Sequence, residues 1–139
     1  MDTLRCMLAV AAQLDYKTQQ FDVDTAFLYG RTDEEVYIRQ PFGCEDVSEP
    51  GLAWFLPHAL YGTKQAARAW YETLCSHFNK RGFESLKADP CVFFKIASCV
   101  GFCAVIANVY DLIVIVPKLD GITLVRDELL GIEVQRDRA

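Results

Sequence analysis

Leu4, Met7, Leu8, Ala11 and Leu14 recur at helical spacing in the opening MDTLRCMLAVAAQLD, which predicts an amphipathic surface helix. Arg5 before a short apolar run imitates a secretory signal, but Asp2 and Asp15 bracket that run and the helical period fits it better. The period then changes. Residues 17–23 read as a strand, and Thr25-Ala26-Phe27-Leu28-Tyr29-Gly30 ends on a glycine that permits a turn. Residues 35–39 alternate polar with apolar side chains, as a short half-buried strand does. Residues 40–57 collect three prolines and two glycines among acids with no sustained period, and this predicts a loop.

The clearest helix spans residues 64–80. Ala67, Trp70, Tyr71, Leu74 and Phe78 share one face, Arg68, Glu72, Asn79 and Lys80 lie largely elsewhere, and Gly82 is placed to stop it. Strands are expected over 91–96, 100–107 and 112–116, with a last one near 132–136, while 120–130 fits either a loop or a short helix. The apolar stretch 96–116 approaches the length of a membrane span. Asn108, Tyr110 and Asp111 interrupt it midway, so a hairpin of two strands is the better reading. This order of elements predicts an α+β fold, a mainly antiparallel sheet with helices packed on one face.

Composition narrows the function. A chain of 139 residues, 52% hydrophobic, suits one domain with a sizeable core. Its net charge of -5 repels a polyanion, which disfavours a small basic nucleic-acid module. The six cysteines show no Cys-x-x-Cys spacing, and with two histidines they lack the signature of a structural zinc site. They read as buried free thiols in a reducing, intracellular compartment, cytoplasmic or nuclear, with no secretion and no membrane span. Neither a phosphate-binding G-x-x-x-x-G-K-[ST] nor a G-x-G-x-x-G is present, and no G-x-S-x-G elbow supports a serine hydrolase.

Asp22 and Asp24 alternate at the end of a strand and are expected to project to one side, with Asp111 in the turn of the apolar hairpin. Carboxylates from neighbouring strands suit Mg²⁺, a hard cation that takes one or two protein carboxylates and completes its shell with water and phosphate. Two such ions ~3.5–4 Å apart can activate a hydroxyl and stabilise a leaving pyrophosphate. The residues alone also fit solvated strand-end acids and a turn former.

Four phrases in order, FDVDTAFLYG (21–30), DEEVYIRQPFG (33–43), ALYGTKQAARAWYETL (59–74) and KADPCVFF (87–94), resemble the reverse transcriptase of copia-type long-terminal-repeat retrotransposons. An apolar hairpin and LLGIEVQRDR (129–138) follow, so the resemblance covers almost the whole chain. It implies an RNA-directed DNA polymerase domain over 1–139, with a palm-like antiparallel sheet, incomplete fingers and no thumb. It further implies Mg²⁺ as cofactor, deoxynucleoside triphosphates and an RNA or DNA template-primer as partners, and integrase and ribonuclease H domains elsewhere on a longer polyprotein.

Carried over by position, the resemblance makes Asp22 the first-strand metal carboxylate. Phe27 becomes the aromatic gate whose ring would clash with a ribose 2′-hydroxyl; the bland alternative is a core aromatic. Gln65 lies beside nucleotide and template, Lys64 faces phosphate, and Trp70 and Tyr71 are core residues of the helix. Ala67 stands where the family usually has proline, which implies a looser start to that helix.

The hairpin departs from the pattern. The family has Tyr-Val-Asp-Asp where this chain reads Asn108-Val109-Tyr110-Asp111. Without gaps, Tyr110 replaces the first aspartate; with two residues deleted, Val109 and Tyr110 match the aromatic end instead. Either alignment leaves one carboxylate, Asp111. A phenol is neutral at pH 7 and a poor magnesium ligand, so weak or absent polymerisation is expected. Asp24 or Asp111 would compensate only in part. A basic strand ahead of the first helix is missing, and 119–129 is short for the family's connection. Residues 130–132 resemble the strand that supports the primer end. The readings in play are a truncated, degenerate reverse transcriptase, a non-catalytic remnant serving as an interaction module, and an unrelated binding domain. Uncovered apolar faces are expected to make the isolated chain poorly soluble.

Overall fold

The computed structural model describes residues 2–129 and 134–136. The chain divides into two compact units, one formed by Met1–Asp24 with Leu74–Ala139 and the other by Thr25–Thr73. We refer to them as the sheet unit and the ribbon unit.

The sheet unit is built on β1 (Lys17–Val23), β4 (Glu84–Leu86), β5 (Asp89–Ala97), β6 (Gly101–Asn108), β7 (Asp111–Val116) and β8 (Val134–Arg136). They lie in the order β4-β5-β6-β7-β1-β8 with antiparallel pairing throughout. Alternation along each strand divides the side chains between two faces. On one face, Leu4, Met7 and Ala11 of α1 (Asp2–Gln13) pack with Val92, Ala104, Ile106 and Ile115. On the other, Phe93, Val105, Leu112 and Val114 are fully buried. There Phe78 of α2 (Ala66–Asn79) stacks on Phe93 with ring centroids 4.6 Å apart. Lys95 of β5 pairs with Glu128 of α3 (Leu119–Leu129) and sits 4.4 Å above the Phe83 ring.

The α+β class is as expected from the order of elements, and α2 and α3 share one face of the sheet. The expected one-sided cover is incomplete, because the stripe of α1 lies on the opposite face. Buried Val92, Ala104, Ile106 and Ile115 give that face its own apolar surface, which must also be shielded from water.

His77 joins α2 to α3. Its Nε2–H donates to the Glu128 carbonyl at 3.1 Å, while its Nδ1 accepts from the Arg81 guanidinium at 3.2 Å. Burial first, and then the Arg81 charge, hold its pKa below the usual histidine value.

In the ribbon unit, β2 (Arg31–Arg39) and β3 (Ala53–His58) form a two-stranded antiparallel sheet. A single 3-10 turn, Ala26–Tyr29, precedes it, and the first residues of α2 follow. Ala59, Ala66 and Ala69 form a small buried cluster with Phe27 against it. Small side chains allow close approach here. A Cβ on Gly30 would lie 2.9 Å from the Cβ of Ala69 and from the backbone N of Trp70.

Several expectations need correction. β3, all but His58, lies in the segment read as loop, where Pro57 and nearby glycines hid a run that pairs locally with β2. The ambiguous 120–130 is helical over Leu119–Leu129, and 96–116 is strand and turn, in agreement with the hairpin reading. No helix among the described residues is long and apolar enough to cross a membrane. The six cysteines are free as expected, but only Cys103 is buried; Cys6, Cys44, Cys91 and Cys99 are exposed because they fall on outward helix, strand or loop positions. Residues 130–133 of the expected last strand and primer-supporting segment lie outside the described residues, whereas 134–136 form β8 beside β1.

Candidate active site

Asp22 and Asp111 are direct partners across the β1–β7 ladder. The Val23 amide donates to the Tyr110 carbonyl at 3.0 Å, so the pair flanked by that bond is of the non-hydrogen-bonded kind. In such a pair the Cα atoms are about 4.5 Å apart and the side chains at their closest. Both aspartates are half-buried and lie on the face that also carries Gln20. The Gln20 amide donates to Asp111 Oδ1 at 3.0 Å. Two like charges placed directly opposite oppose folding, and Gln20 offsets part of that repulsion.

The surrounding backbone explains why these residues meet. Phe21 and Val23 alternate with Asp22 and are buried, as is Leu112 after Asp111. Burial of the odd positions of β1 turns Asp22 to the other face and fixes the register. β6 and β7 are joined by the two-residue loop Val109-Tyr110, with Asn108 opposite Asp111. Val109 has φ +60°, a left-handed conformation costly for a β-branched side chain but demanded by so short a hairpin. Asp111 is therefore the first residue of β7, not part of the turn. Tyr110 is in the turn, with its side chain exposed.

β1 ends at Val23, and Asp24 lies half-buried in the turn that follows, ahead of Thr25 with φ +53°. Among the described residues no group of three or more histidine, cysteine or acidic side chains is placed to hold a metal ion. The Asp22–Asp111 pair is a set of hard oxygen donors suited to a Mg²⁺ ion that keeps water and phosphate in its remaining positions.

The other three predicted site residues belong to the ribbon unit. Phe27 is half-buried, packs on the alanine cluster and lies 4.8 Å from Tyr61 between ring centroids. Lys64 is exposed. Gln65 is half-buried and lines a cleft of about 200 Å³ with Arg31, Thr32, Glu34, Arg68, Ala69 and Glu72. Arg68 donates through Nε to Glu72 Oε1 at 2.8 Å, one turn further along α2.

Sequence reasoning missed Gln20, Arg31 and Arg68. Gln20 was within reach, since it precedes Asp22 by two and shares its face. Arg68 follows Gln65, the residue just ahead of α2, by three, and lines the same cleft. Arg31 carried no signal, because its place in the cleft depends on how β2 meets α2.

The model of the family described as reverse transcriptase (RNA-dependent DNA polymerase) matches residues 1–134. Over 83% of its length the chain is 37% identical to the retrovirus-related Pol polyprotein from transposon TNT 1-94 of Nicotiana tabacum. It is 38% identical over 66% of its length to the corresponding polyprotein from transposon RE2 of Arabidopsis thaliana. With the transposon Ty5-1 protein of Saccharomyces cerevisiae the identity is 33% over 84% of the chain. The chain spans only 9%, 6% and 37% of these three relatives. The motif resemblance, the antiparallel α+β sheet and a match over nearly every residue agree: the chain belongs to the reverse transcriptase (RNA-dependent DNA polymerase) family.

Proposed function

We propose that this chain carries the metal-holding strands of a copia-type reverse transcriptase and that its own polymerisation is weak or absent. The observation that supports the first half is the direct opposition of Asp22 and Asp111, two residues 89 positions apart in numbering that meet as a non-hydrogen-bonded pair. The second half rests on Tyr110, which stands beside that pair where, in the alignment without gaps, the family pattern has an aspartate.

In this reading Asp22 and Asp111 would hold Mg²⁺. The bound cation would supply charge neutralisation on a deoxynucleoside triphosphate and activation of a primer 3′-hydroxyl. Asp22 sits on a strand buried through its neighbours and so presents its carboxylate from a fixed backbone. Gln20 draws one oxygen of Asp111 into a hydrogen bond and lowers what that carboxylate can give to a cation. Phe27 restricts the sugar edge, Gln65 contacts the base or its template partner, and Lys64 contacts phosphate. An RNA or DNA template-primer is the polymeric partner, and integrase and ribonuclease H would be further parts of the same polyprotein. A phenol at 110 offers no second shared carboxylate, so a paired-ion arrangement lacks one of its anchors.

Primer extension on poly(rA)/oligo(dT) with Mg²⁺ tests the reading, together with calorimetric titration of Mn²⁺ as a metal probe. The unmodified chain should bind Mn²⁺ weakly and extend primer at background level. Tyr110→Asp should tighten Mn²⁺ binding, and Asp22→Asn should abolish it in either background. Incorporation by the unmodified chain that persists in Asp22→Asn would refute the metal assignment.

A further inference from the structure

The β2–β3 ribbon exposes aromatic surface, and its stretch of sequence carries most of the chain's net negative charge. Tyr37 is 57% and Phe55 52% exposed, and these cross-strand partners have ring centroids 5.5 Å apart. The Tyr37 hydroxyl donates to Glu35 Oε2 at 3.1 Å, which sets a carboxylate beside the aromatic pair. On the opposite face Trp54 partners Ile38 and is 43% exposed. Residues 31–58 contain six acidic residues and two arginines, a balance of -4 in a chain whose total is -5. The sheet has two strands, so each has an outer edge outside the pairing. Pro57 removes a donor from β3 and leaves β2 the better edge.

These features select among occupants. A second copy would bring two such acidic stretches together, and a polynucleotide would meet the wrong sign of charge. A strand of alternating cationic and apolar side chains satisfies every part of the surface. Its backbone can add to β2, its guanidinium or ammonium groups can meet Glu35 and the rings of Tyr37 and Phe55 on one face, and its apolar side chains can cover Ile38 and Trp54 on the other. We propose that the β2–β3 ribbon is a docking surface for a cationic polypeptide strand of a partner protein. The proposal goes beyond the polymerase reading and uses neither Asp22 nor Asp111.

The two tryptophans give a direct readout, because Trp70 is 2% exposed and Trp54 43%. The full chain is titrated with a short peptide alternating arginine and valine, with a glutamate–valine peptide as control. The expected result is a saturable blue shift of tryptophan emission with the arginine peptide alone. The shift should vanish in Trp54→Phe while calorimetry still reports binding. Glu34→Lys combined with Glu35→Lys should weaken binding about tenfold or more, with the far-ultraviolet circular dichroism unchanged because both positions are exposed. Absence of saturable binding, equal binding of the acidic peptide, or binding untouched by the double reversal would overturn the proposal. So would a Trp54 shift produced by single-stranded oligo(dT), or by self-association seen in sedimentation.

Discussion

In the sheet unit the large apolar side chains are inside: Phe21, Phe78, Phe93, Leu112 and Val114 are exposed by 1% or less. In the ribbon unit, among the described residues, the packed cluster is three alanines and Phe27, Trp70 is the one large buried side chain, and Tyr37, Trp54 and Phe55 face outward. Burial of apolar area contributes roughly 25 cal/mol per Å², so the two units differ in what holds them. The sheet unit is stabilised by its own interior. The ribbon unit buries few large side chains and leaves Tyr37, Trp54 and Phe55 exposed, which places it at the low end of local stability. The carboxylate pair thus sits on the firmer frame, and Phe27, Lys64 and Gln65 on the weaker one.

The largest expected contrast is between two phenylalanines. Phe93→Ala should cost about 3–5 kcal/mol, a large share of the ~5–15 kcal/mol that holds a domain folded. Phe55→Ala should cost about 0.5–1.5 kcal/mol, the loss of its cross-strand ring pair with Tyr37 with no core cavity left behind. Urea denaturation of both variants measures this, and equal losses would erase the distinction between the units. A smaller effect is expected at Gly30, whose φ of -71° any residue adopts, so that only space is at issue. Gly30→Ala places a methyl group against Ala69 and the α2 backbone. The cost should be about 1–3 kcal/mol and should accelerate hydrogen exchange in β2 and β3 while leaving β5 and β6 unchanged.

Acid sharpens the contrast from the other side, because His77 belongs to the sheet unit. Protonating Nδ1 would lose the bond accepted from Arg81 and set a second cation beside it. With the folded pKa below the ordinary value of 6.5, the unfolded chain binds more protons in the window beneath 6.5. Stability should therefore be complete above that value and decline as pH falls from 6.5 towards the lowered folded pKa. Thermal melts across that window should show the decline, and His77→Gln should flatten it. A sheet unit that gains stability on acidification through this range would contradict the assigned hydrogen-bond roles.

The same division explains what could be read from the sequence. β1 and α2 were legible because buried and exposed positions recur at the period of their own element, and β5 to β7 because short runs of Val, Ile and Phe mark strands, those of β6 and β7 buried on both faces. β3 was not, since nearly all of its side chains are exposed and its run carries Pro57. β4 is three residues long and too short for a period to register. Asp22 and Asp111 could each be singled out as strand-end or turn acids, but their opposition depends on β1 joining β7 across most of the chain. No local pattern encodes that pairing, and only the family motifs anticipated it. Gln20 went unnamed because an amide on an exposed strand position is ordinary until its diagonal neighbour is known.

The smallest effect concerns Asp111 and bears on why the pair exists at all. Like charges directly opposite on adjacent strands are unfavourable on the scale of about 0.2–1 kcal/mol. Asp111→Asn removes one charge and keeps an Oδ1 that accepts the Gln20 amide, so the sheet unit should gain stability of that order. The gain should shrink as salt screens the half-buried pair. Glu34→Gln on the ribbon, lacking an opposed carboxylate across the described pairs, should change stability by less than about 0.5 kcal/mol. Mn²⁺ affinity should move the opposite way and fall in Asp111→Asn, because the cation loses a charged ligand. A variant that folds better and binds cation worse is what two carboxylates held together for a ligand require. If Asp111→Asn instead destabilised the sheet, the carboxylate would be part of what holds β1 to β7, and the case for an inherited metal site at that junction would fail.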